Sequence, residues 1–440
     1  MTRTGFLKGF SPYKQFILFP LYMLILVAVI TIGIKLWQPG LKSLAHKIEN
    51  ELAKIDPYPK LEKLADICEN NGEKLEKILD FFKMGSQFDK GLKALIEQRY
   101  SDAAKFFEEY AENNETEAGK SYFYMGNALY LDTHYSKAER VFLKSTDKQP
   151  DFFHAWHNRG IALNRLGKYA KAVEQFKKSI KLKPDYMDSW ANSGLALNNL
   201  EKYSQALKNF QKAVKLNPDH ADSWNNSGVT LTALGKYEEA EKNFQKAVKL
   251  NPDHANAWSN WGAVYFSLGK YQQAAEKYKR AFRYDSENAN ILFNWGSALN
   301  ALTRYEEACE KYSRVIELKP DDADALNNWG VALKNLGRYE ESIEKYREAI
   351  KYAPNDADIL NNWGVALNTI GNYSAAIKKY EDAIKNNSDH ANAWANWGIA
   401  LKNLGEHYKK STVKYRDAMS RKLNEKSGSD TLRVRKGNNP

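Results

Sequence analysis

The sequence predicts an all-α protein, an α-solenoid of about ten helix-turn-helix repeats preceded by one transmembrane helix. Glycine recurs at 34-residue steps from Gly160 to Gly398, and tyrosine recurs at the same step from Tyr169 to Tyr373. Residues 16–34 form a continuous run without a charged side chain. A chain of 440 residues is long for one compact core. A repeat array avoids this limit because each unit packs only on its neighbours.

The uncharged run at residues 16–34 has the length of a membrane span. As a helix it would cover about 30 Å, the thickness of a bilayer core, and Lys14 and Lys35 bracket it. A cleaved signal peptide would have a shorter apolar core followed by a small-residue cleavage site, which is missing after this run. We therefore expect a single-pass membrane protein with a short basic flank at 1–14 and a transmembrane helix at 15–37. The positive-inside rule favours an N-terminus in the cytoplasm and repeats outside by about one charge, so the side of the repeats stays open.

Two further segments lie outside the repeats. Residues 38–83 contain two apolar-periodic stretches separated by Pro57 and Pro59, which predicts a helical stalk or cap. Residues 421–440 are rich in Lys, Arg, Ser, Gly and Asn, which predicts a disordered basic tail.

The formal net charge of +11 lies mostly at the two ends of the chain. The segment 1–40 contains four Lys/Arg and no acidic residue, and the segment 421–440 contains six Lys/Arg against two acidic side chains. The remaining body is nearly neutral, so it has no broad basic face of the kind that binds nucleic acid. We expect proteins or peptides as partners, together with the membrane contact of the N-terminal helix, and self-association stays open.

Several positions of the repeating unit keep their residue type. With Phe153 as position 1, position 8 is Gly, position 20 is Ala or Ser, position 24 is Phe or Tyr, and position 32 is often Pro. Small residues at positions 8 and 20 would let two helices approach closely, and the ring at position 24 would fill the space between them. Glycine at position 15 would end the first helix (helix A), and proline near position 32 would end the second (helix B). Glu201 and Thr303 depart from glycine at position 15, which should cost little if a non-glycine cap forms.

This pattern resembles the tetratricopeptide repeat (TPR), whose signature is W-x2-L-G-x2-Y followed by Ala, an aromatic residue and Pro within one repeat. The resemblance covers residues 84–420 and implies a right-handed α-solenoid that binds other proteins. The predicted units are 84–118, 119–152, 153–186, 187–220, 221–254, 255–288, 289–322, 323–356, 357–390 and 391–420.

Tryptophan moves between two positions along the array. Where position 4 changes from Trp to Leu, position 7 is Trp, and two units have Trp at both. Positions 4 and 7 are one turn apart on a helix, so we expect an exchange of volume within a shared core. The alternative, a stacking platform for bases or prolines, would need a basic groove for single strands. The residues are Trp156, Trp190, Trp224, Trp258, Leu292, Leu326, Leu360 and Trp394 at position 4, and Trp261, Trp295, Trp329, Trp363 and Trp397 at position 7.

Position 6 of helix A is asparagine in eight successive repeats. The TPR resemblance implies that helix A lines a concave groove with its positions 2, 5, 6, 9, 12 and 13. Asparagine is a mediocre helix former, but its amide offers two donors and an acceptor, so a row of amides could hold the backbone of an extended peptide. The row is similar to the asparagine ladder in the repeat domain of O-GlcNAc transferase. The alternative is passive copying during duplication, because NFQKAVKLNPDHA occurs twice, although position 5 varies freely. The predicted ladder comprises Asn158, Asn192, Asn226, Asn260, Asn294, Asn328, Asn362 and Asn396.

Position 2 adds a second polar row to the predicted groove. A polar and mildly acidic groove suits a neutral or basic segment. A clamp for a C-terminal carboxylate would need Lys, Asn and Arg, whereas the early groove positions hold Phe123, His154 and Asp188. The secondary row comprises Asp188, Asp222, Asn256, Asn290, Asp324, Asp358 and Asn392.

No motif for catalysis or for a cofactor is recognisable. P-loop, GxSxG and HExxH patterns do not occur, and Cys68 and Cys309 have no partner at metal-ligand spacing. His220, His254 and His390 follow turn residues, which predicts a turn or cap role. We therefore predict no enzyme, no cofactor and no metal, but a membrane-anchored scaffold or receptor that binds partner proteins or extended peptides in a concave groove. Two alternatives stay open: a structural subunit of a membrane protein complex, and a regulatory or targeting subunit of a separately encoded transferase.

Overall fold

The computed structural model describes residues 86–405 and Arg416. Every regular element in residues 86–405 is an α-helix, and there are nineteen of them. They belong to two compact units, one ending at Leu216 and the other beginning at Asn217. The first part of the predicted fold class, an all-α helical repeat, is therefore confirmed.

The first unit contains four helix pairs. Its helices are α1 (Gln87–Ile96), α2 (Tyr100–Asn113), α3 (Ala118–Leu131), α4 (Tyr135–Lys148), α5 (Phe153–Arg165), α6 (Tyr169–Leu182), α7 (Met187–Asn199) and α8 (Tyr203–Leu216).

The second unit contains five pairs and one further helix A. Its helices are α9 (Ala221–Ala233), α10 (Tyr237–Leu250), α11 (Ala255–Ser267), α12 (Tyr271–Tyr284), α13 (Ala289–Ala301), α14 (Tyr305–Leu318), α15 (Ala323–Asn335), α16 (Tyr339–Tyr352), α17 (Ala357–Thr369), α18 (Tyr373–Asn386) and α19 (Ala391–Leu404).

A tight turn joins helix A to helix B in each repeat. After α9, the N–H of Lys236 donates to the carbonyl of Leu231 and the N–H of Gly235 to that of Thr232, while Gly235 has φ +72°. This is the Schellman arrangement, in which a left-handed residue closes the helix. Glu201 and Thr303 make the same turn with φ 58° and 61°. The expected non-glycine cap does form, but an L-residue in this conformation costs about 1–2 kcal/mol.

The two helices of a repeat meet at a glycine and an aromatic ring. A Cβ added to Gly330 would lie 2.6 Å from a ring carbon of Tyr346, and one added to Gly160 would lie 2.6 Å from Phe176. The rings of Phe176 and Tyr346 are fully buried. The predicted roles of positions 8 and 24 are therefore confirmed, since only glycine leaves room for a ring this close to the backbone.

The predicted membrane anchor is not supported. No helix in the described part of the chain is both long enough and apolar enough to cross a membrane. On this finding the predicted localisation as a single-pass membrane protein is wrong. The segments predicted as basic flank (1–14), transmembrane helix (15–37), stalk or cap (38–83) and basic tail (421–440) lie outside the described residues.

Candidate functional site

Three ladder amides of the second unit form a hydrogen bond with the preceding repeat. Wherever position 5 of one repeat is asparagine, its Oδ1 accepts a hydrogen bond from Nδ2 of the ladder asparagine in the next repeat. Each such bond joins two successive helices A and fixes which way the ladder amide faces. The bonds are Asn260 to Asn225 (3.0 Å), Asn362 to Asn327 (3.0 Å) and Asn396 to Asn361 (2.9 Å).

The ladder is less accessible than its helical position alone suggests. Asn260 and Asn396 are partly exposed. The other six amides are at most 8 % exposed: Asn158, Asn192, Asn226, Asn294, Asn328 and Asn362. In the first unit, Asn158 donates to Oδ1 of Asn127 at 2.7 Å, and Asn192 donates to the carbonyl of Asp188 at 3.0 Å. Much of the row's hydrogen-bonding capacity is therefore used within the protein.

The position-2 row is more open to solvent than the ladder. Asn256 is exposed, and the others are partly exposed: Asp188, Asp222, Asn290, Asp324, Asp358 and Asn392. The described part of the helix-A face (positions 2, 5, 6, 9, 12 and 13 of the helices A) thus has a polar accessible edge beside a largely buried row of amides.

Histidines at the inter-repeat turns cap the next helix A and contact an aspartate on the helix A before it. Nδ1 of His390 accepts the backbone N–H of Ala393 at 3.0 Å, and its Nε2 lies 3.1 Å from Oδ1 of Asp358. His254 caps α11 in the same way, and its Nε2 lies 3.0 Å from Oδ1 of Asp222. The predicted cap role of these histidines is confirmed. In each of these repeats the histidine follows the position-2 aspartate at the same spacing. This spacing was a signal of the aspartate–histidine contact, and sequence reasoning missed it.

The charge of Asp222 is stabilised by these histidines. Burial acts to raise the pKa of this carboxyl. The hydrogen bond from His254 and the nearby rings of His254 and His220 outweigh burial and hold the pKa below its usual value. Asp222 therefore stays ionised at neutral pH and contributes negative charge to the helix-A face.

Tryptophans of both positions are covered by cations from helix B. The nearest cation is at position 26 of the repeat for the position-4 indoles of Trp156 and Trp258 and at position 23 for the position-7 indoles, although Lys277 at position 23 also lies 5.4 Å from the Trp258 ring. This is a cation–π arrangement. The nitrogen-to-ring distances are 4.1 Å for Lys178 over Trp156, 3.6 Å for Lys277 over Trp261, 4.7 Å for Lys311 over Trp295, 4.2 Å for Lys345 over Trp329 and 4.1 Å for Lys379 over Trp363.

A simple exchange of core volume does not account for the tryptophans. Leucine at position 4 is fully buried, as at Leu326, whereas Trp156 at the same position is partly exposed and donates its indole N–H to the carbonyl of Pro150 at 2.8 Å. Where both indoles occur, Trp258 and Trp261 stack with centroids 5.5 Å apart. The indoles share one site at the edge of the core, and the cation completes it.

The described residues contain no group of three or more His, Cys, Asp or Glu side chains that could hold a metal ion.

Residues 153–359, a little under half of the chain, match the family model described as the Cilia and flagella-associated protein 70 C-terminal domain. A search of curated proteins gave no match. None of these findings indicates an enzyme family.

Solved structures of similar fold include several TPR proteins. YrrB, described as a TPR protein with an unusual peptide-binding site, is 27% identical over 42% of this chain and 95% of that chain, with a TM-score of 0.38. PilF of Pseudomonas aeruginosa is 19% identical over 46% of this chain and 92% of that chain (TM-score 0.42). Yeast Tom70 is 14% identical over 77% of this chain and 84% of that chain (TM-score 0.41). The helix pairs and their constant repeat step make residues 86–405 an all-α helical repeat of the tetratricopeptide kind, and the family match covers residues 153–359 of it.

Proposed function

We propose that this chain is a protein-interaction scaffold that binds an extended peptide segment of its partner along the helix-A face. The observation that supports this most is the row of asparagine amides on successive helices A, three of which in the second unit are held in one orientation by a bond to the preceding repeat. The proposed contacts are the ladder asparagines and the position-2 residues named above. Asn260 and Asn396 are the first candidates because they are the partly exposed members of the ladder.

The chemistry of a held amide suits a peptide backbone. One hydrogen of Nδ2 of Asn260 is used by Asn225, which leaves the second hydrogen and Oδ1 for a partner. A backbone presents both a donor and an acceptor in each residue, so such an amide can pair with it irrespective of side chains. Fixing the amide beforehand avoids about 0.5–1.5 kcal/mol of ordering cost on binding.

The aspartates on the helix-A face indicate which charge the partner segment should have. Asp222 and Asp358 on the position-2 row are each held beside a histidine and lie about one helical turn before a ladder asparagine. Because opposite charges favour encounter and registration, we propose a partner segment that is neutral or basic.

The test is a selection of random peptides on the full chain, followed by affinity measurement for the selected peptides by fluorescence anisotropy. The double variant Asn260→Ala/Asn396→Ala removes two bonds to the peptide, each worth about 0.5–1.5 kcal/mol. We expect affinity to fall by about 5- to 150-fold.

The matched control is Asn243→Ala, which removes an amide from helix B, where it only donates to the carbonyl of Glu239. We expect this control to bind like the unaltered chain. Equal affinities for the double variant and the unaltered chain, or an equal loss in the control, would refute the proposed site.

A further inference from the structure

The side chain of the residue that precedes helix A caps that helix in most of the described repeats but not in all. In the second unit its side chain accepts a backbone N–H of the helix at every described repeat. These capping residues are His220, His254, Asn288, Asp322, Asp356 and His390. Before α5 and α7 of the first unit the same position holds Phe152 and Tyr186, whose side chains make no such bond. Because capping stabilises a helix, the aromatic residues give up a local contribution to stability.

The aromatic residues meet at the start of α5. The ring centroid of His154 lies 3.9 Å from that of Phe153, 5.6 Å from that of Phe152 and 5.4 Å from that of Tyr186. All four side chains are partly exposed. We call these four residues the aromatic patch.

Buried rings support the aromatic patch from below. Phe123 lies 4.9 Å from Phe152 in a T-shaped contact and is 2 % exposed. His157 lies 5.0 Å from Tyr186, is 1 % exposed, and has Nδ1 2.9 Å from Oγ of Ser189. The floor of the patch is therefore fixed by packing and by a hydrogen bond, whereas its upper rings still offer area to a ligand.

The aromatic patch is uncharged at neutral pH, and two aspartates lie close to it in sequence. Burial lowers the pKa of His154 to about 4 and that of His157 to about 3, so both imidazoles are neutral at pH 7. Asp151 directly precedes Phe152 and is exposed, and partly exposed Asp188 follows Tyr186 by two positions. An apolar surface with carboxylates beside it complements an apolar side chain that neighbours a cation.

Packing within the fold does not explain why the four rings of the aromatic patch are grouped at the surface. Phe123 fills the core below, and the four rings above it remain partly open. The sequence also replaces two capping side chains by rings at the two positions that meet in this cluster. Where local rules are broken at two positions that both contact one residue, here His154, a functional reason is expected.

We propose that the aromatic patch binds an aromatic side chain of the partner peptide that is next to a lysine or arginine. A phenylalanine-sized ring extends the edge-to-face cluster of Phe152, Phe153 and Tyr186, and the adjacent cation faces Asp151 and Asp188. The proposal deepens the proposed function, on which it rests in taking the ligand to be an extended peptide, and gives it a specificity determinant.

The test uses a short Gly/Ser peptide with 4-fluorophenylalanine followed by lysine at its centre, titrated with the full chain and followed by 19F line broadening. Unlabelled peptides with Phe-Lys, Ala-Lys, Phe-Glu and Pro-Lys at the centre serve as competitors. We expect Phe-Lys to compete at least tenfold better than Ala-Lys and at least threefold better than Phe-Glu. Equal competition by Ala-Lys, or better competition by Pro-Lys, overturns the assignment of an aromatic ligand.

Two variants separate binding from folding. Tyr186→Asn removes a patch ring but supplies a neutral capping side chain of the kind found at Asn288, so α7 should remain folded by far-UV circular dichroism. We expect it to weaken the fluorinated peptide at least fivefold. Tyr284→Ala removes an aromatic ring that is 46% exposed elsewhere and should leave binding unchanged. Equal affinities for Tyr186→Asn and the unaltered chain overturn the proposal.

Failure of this proposal is distinguishable from failure of the proposed function. One outcome is that the Asn260→Ala/Asn396→Ala variant weakens binding of the selected peptides while Tyr186→Asn leaves the affinity of the fluorinated peptide unchanged. In that case the scaffold proposal stands and the aromatic patch is only structural. If neither dependence is found, both are wrong.

Discussion

The hydroxyl of Tyr278 gives the sharpest test of how these repeats are packed. The Tyr278 side chain is fully buried between the helices of its repeat, and its oxygen has no hydrogen-bond partner among the described residues. Burial raises the pKa of Tyr278 far above its usual range. A ring of the same shape without the hydroxyl is found at Phe244, one repeat earlier. We therefore expect Tyr278→Phe to stabilise the repeat.

The expected magnitude follows from the environment of the hydroxyl. An unsatisfied buried polar group costs about 1–3 kcal/mol, which its removal returns, while removing one oxygen atom leaves little empty space. The matched comparison is Tyr312→Phe one repeat later. The Tyr312 hydroxyl lies 3.1 Å from Oγ of Ser297, which itself donates to the carbonyl of Phe293 at 3.0 Å. The Tyr312 hydroxyl is thus the donor. Its removal in Tyr312→Phe should lower the unfolding free energy of the repeat by about 0.5–1.5 kcal/mol.

The assay should report on each repeat separately, because neighbouring repeats can unfold in part. Amide hydrogen exchange of α12 and α14 under native conditions gives local opening free energies. We expect slower exchange in α12 for Tyr278→Phe and faster exchange in α14 for Tyr312→Phe. Destabilisation of α12 by Tyr278→Phe would refute the reasoning and indicate a partner for the hydroxyl, such as a bound water.

Three further predictions concern the turns, the buried histidines and the glycine contacts. Thr303→Gly should raise the unfolding free energy of its repeat by about 1 kcal/mol, because it relieves a left-handed β-branched residue; unchanged urea unfolding would contradict this. His154 and His157 have folded-state pKa values lowered to about 4 and about 3, so the unfolded chain binds more protons as the pH falls below about 6.5. Stability of the first unit should therefore be complete above that pH and fall towards pH 4 by up to about 1.4 kcal/mol per pH unit for each imidazole, and thermal melts of the His157→Gln variant should show a shallower fall than those of the unaltered chain. Gly330→Ala should lower stability by about 1–3 kcal/mol because the new Cβ overpacks the Tyr346 ring, which urea unfolding would detect, and an increase would show that the ring can move aside.

The repeat period was enough to predict the helix pairs, and the residue types at positions 8 and 24 were enough to predict their closest contact. Gly330 and Tyr346 occupy these two positions of one repeat and meet because a turn of constant length returns helix B along helix A. The turn itself was only partly predictable. Thr303 takes the same left-handed conformation as the glycines because the length of the connection and the packing of both helices outweigh its local preference.

Sequence reasoning could not tell how accessible the ladder asparagines are. Asn328 and Asn396 occupy the same position of their repeats, yet Asn328 is fully buried and Asn396 is partly exposed. The difference arises from neighbouring helices, which a one-dimensional pattern does not specify. The variation at position 5 was treated as a sign of free choice, whereas Asn361 there accepts the bond that orients Asn396.

The repeats therefore use the same helix framework with different chemistry at corresponding positions. Position 7 changes from Ser193 to Trp261, and position 23 changes with it, from Asn209, which donates to Oγ of Ser193 at 2.9 Å, to Lys277, whose nitrogen lies 3.6 Å from the Trp261 ring. Paired changes of this kind maintain a contact while altering its character, as expected if packing selects the pair and not each residue alone. The aromatic residues before α5 and α7 differ from these pairs, because they replace a cap without restoring it. That difference is why we assign binding to the aromatic patch and stability to the tryptophan–lysine pairs.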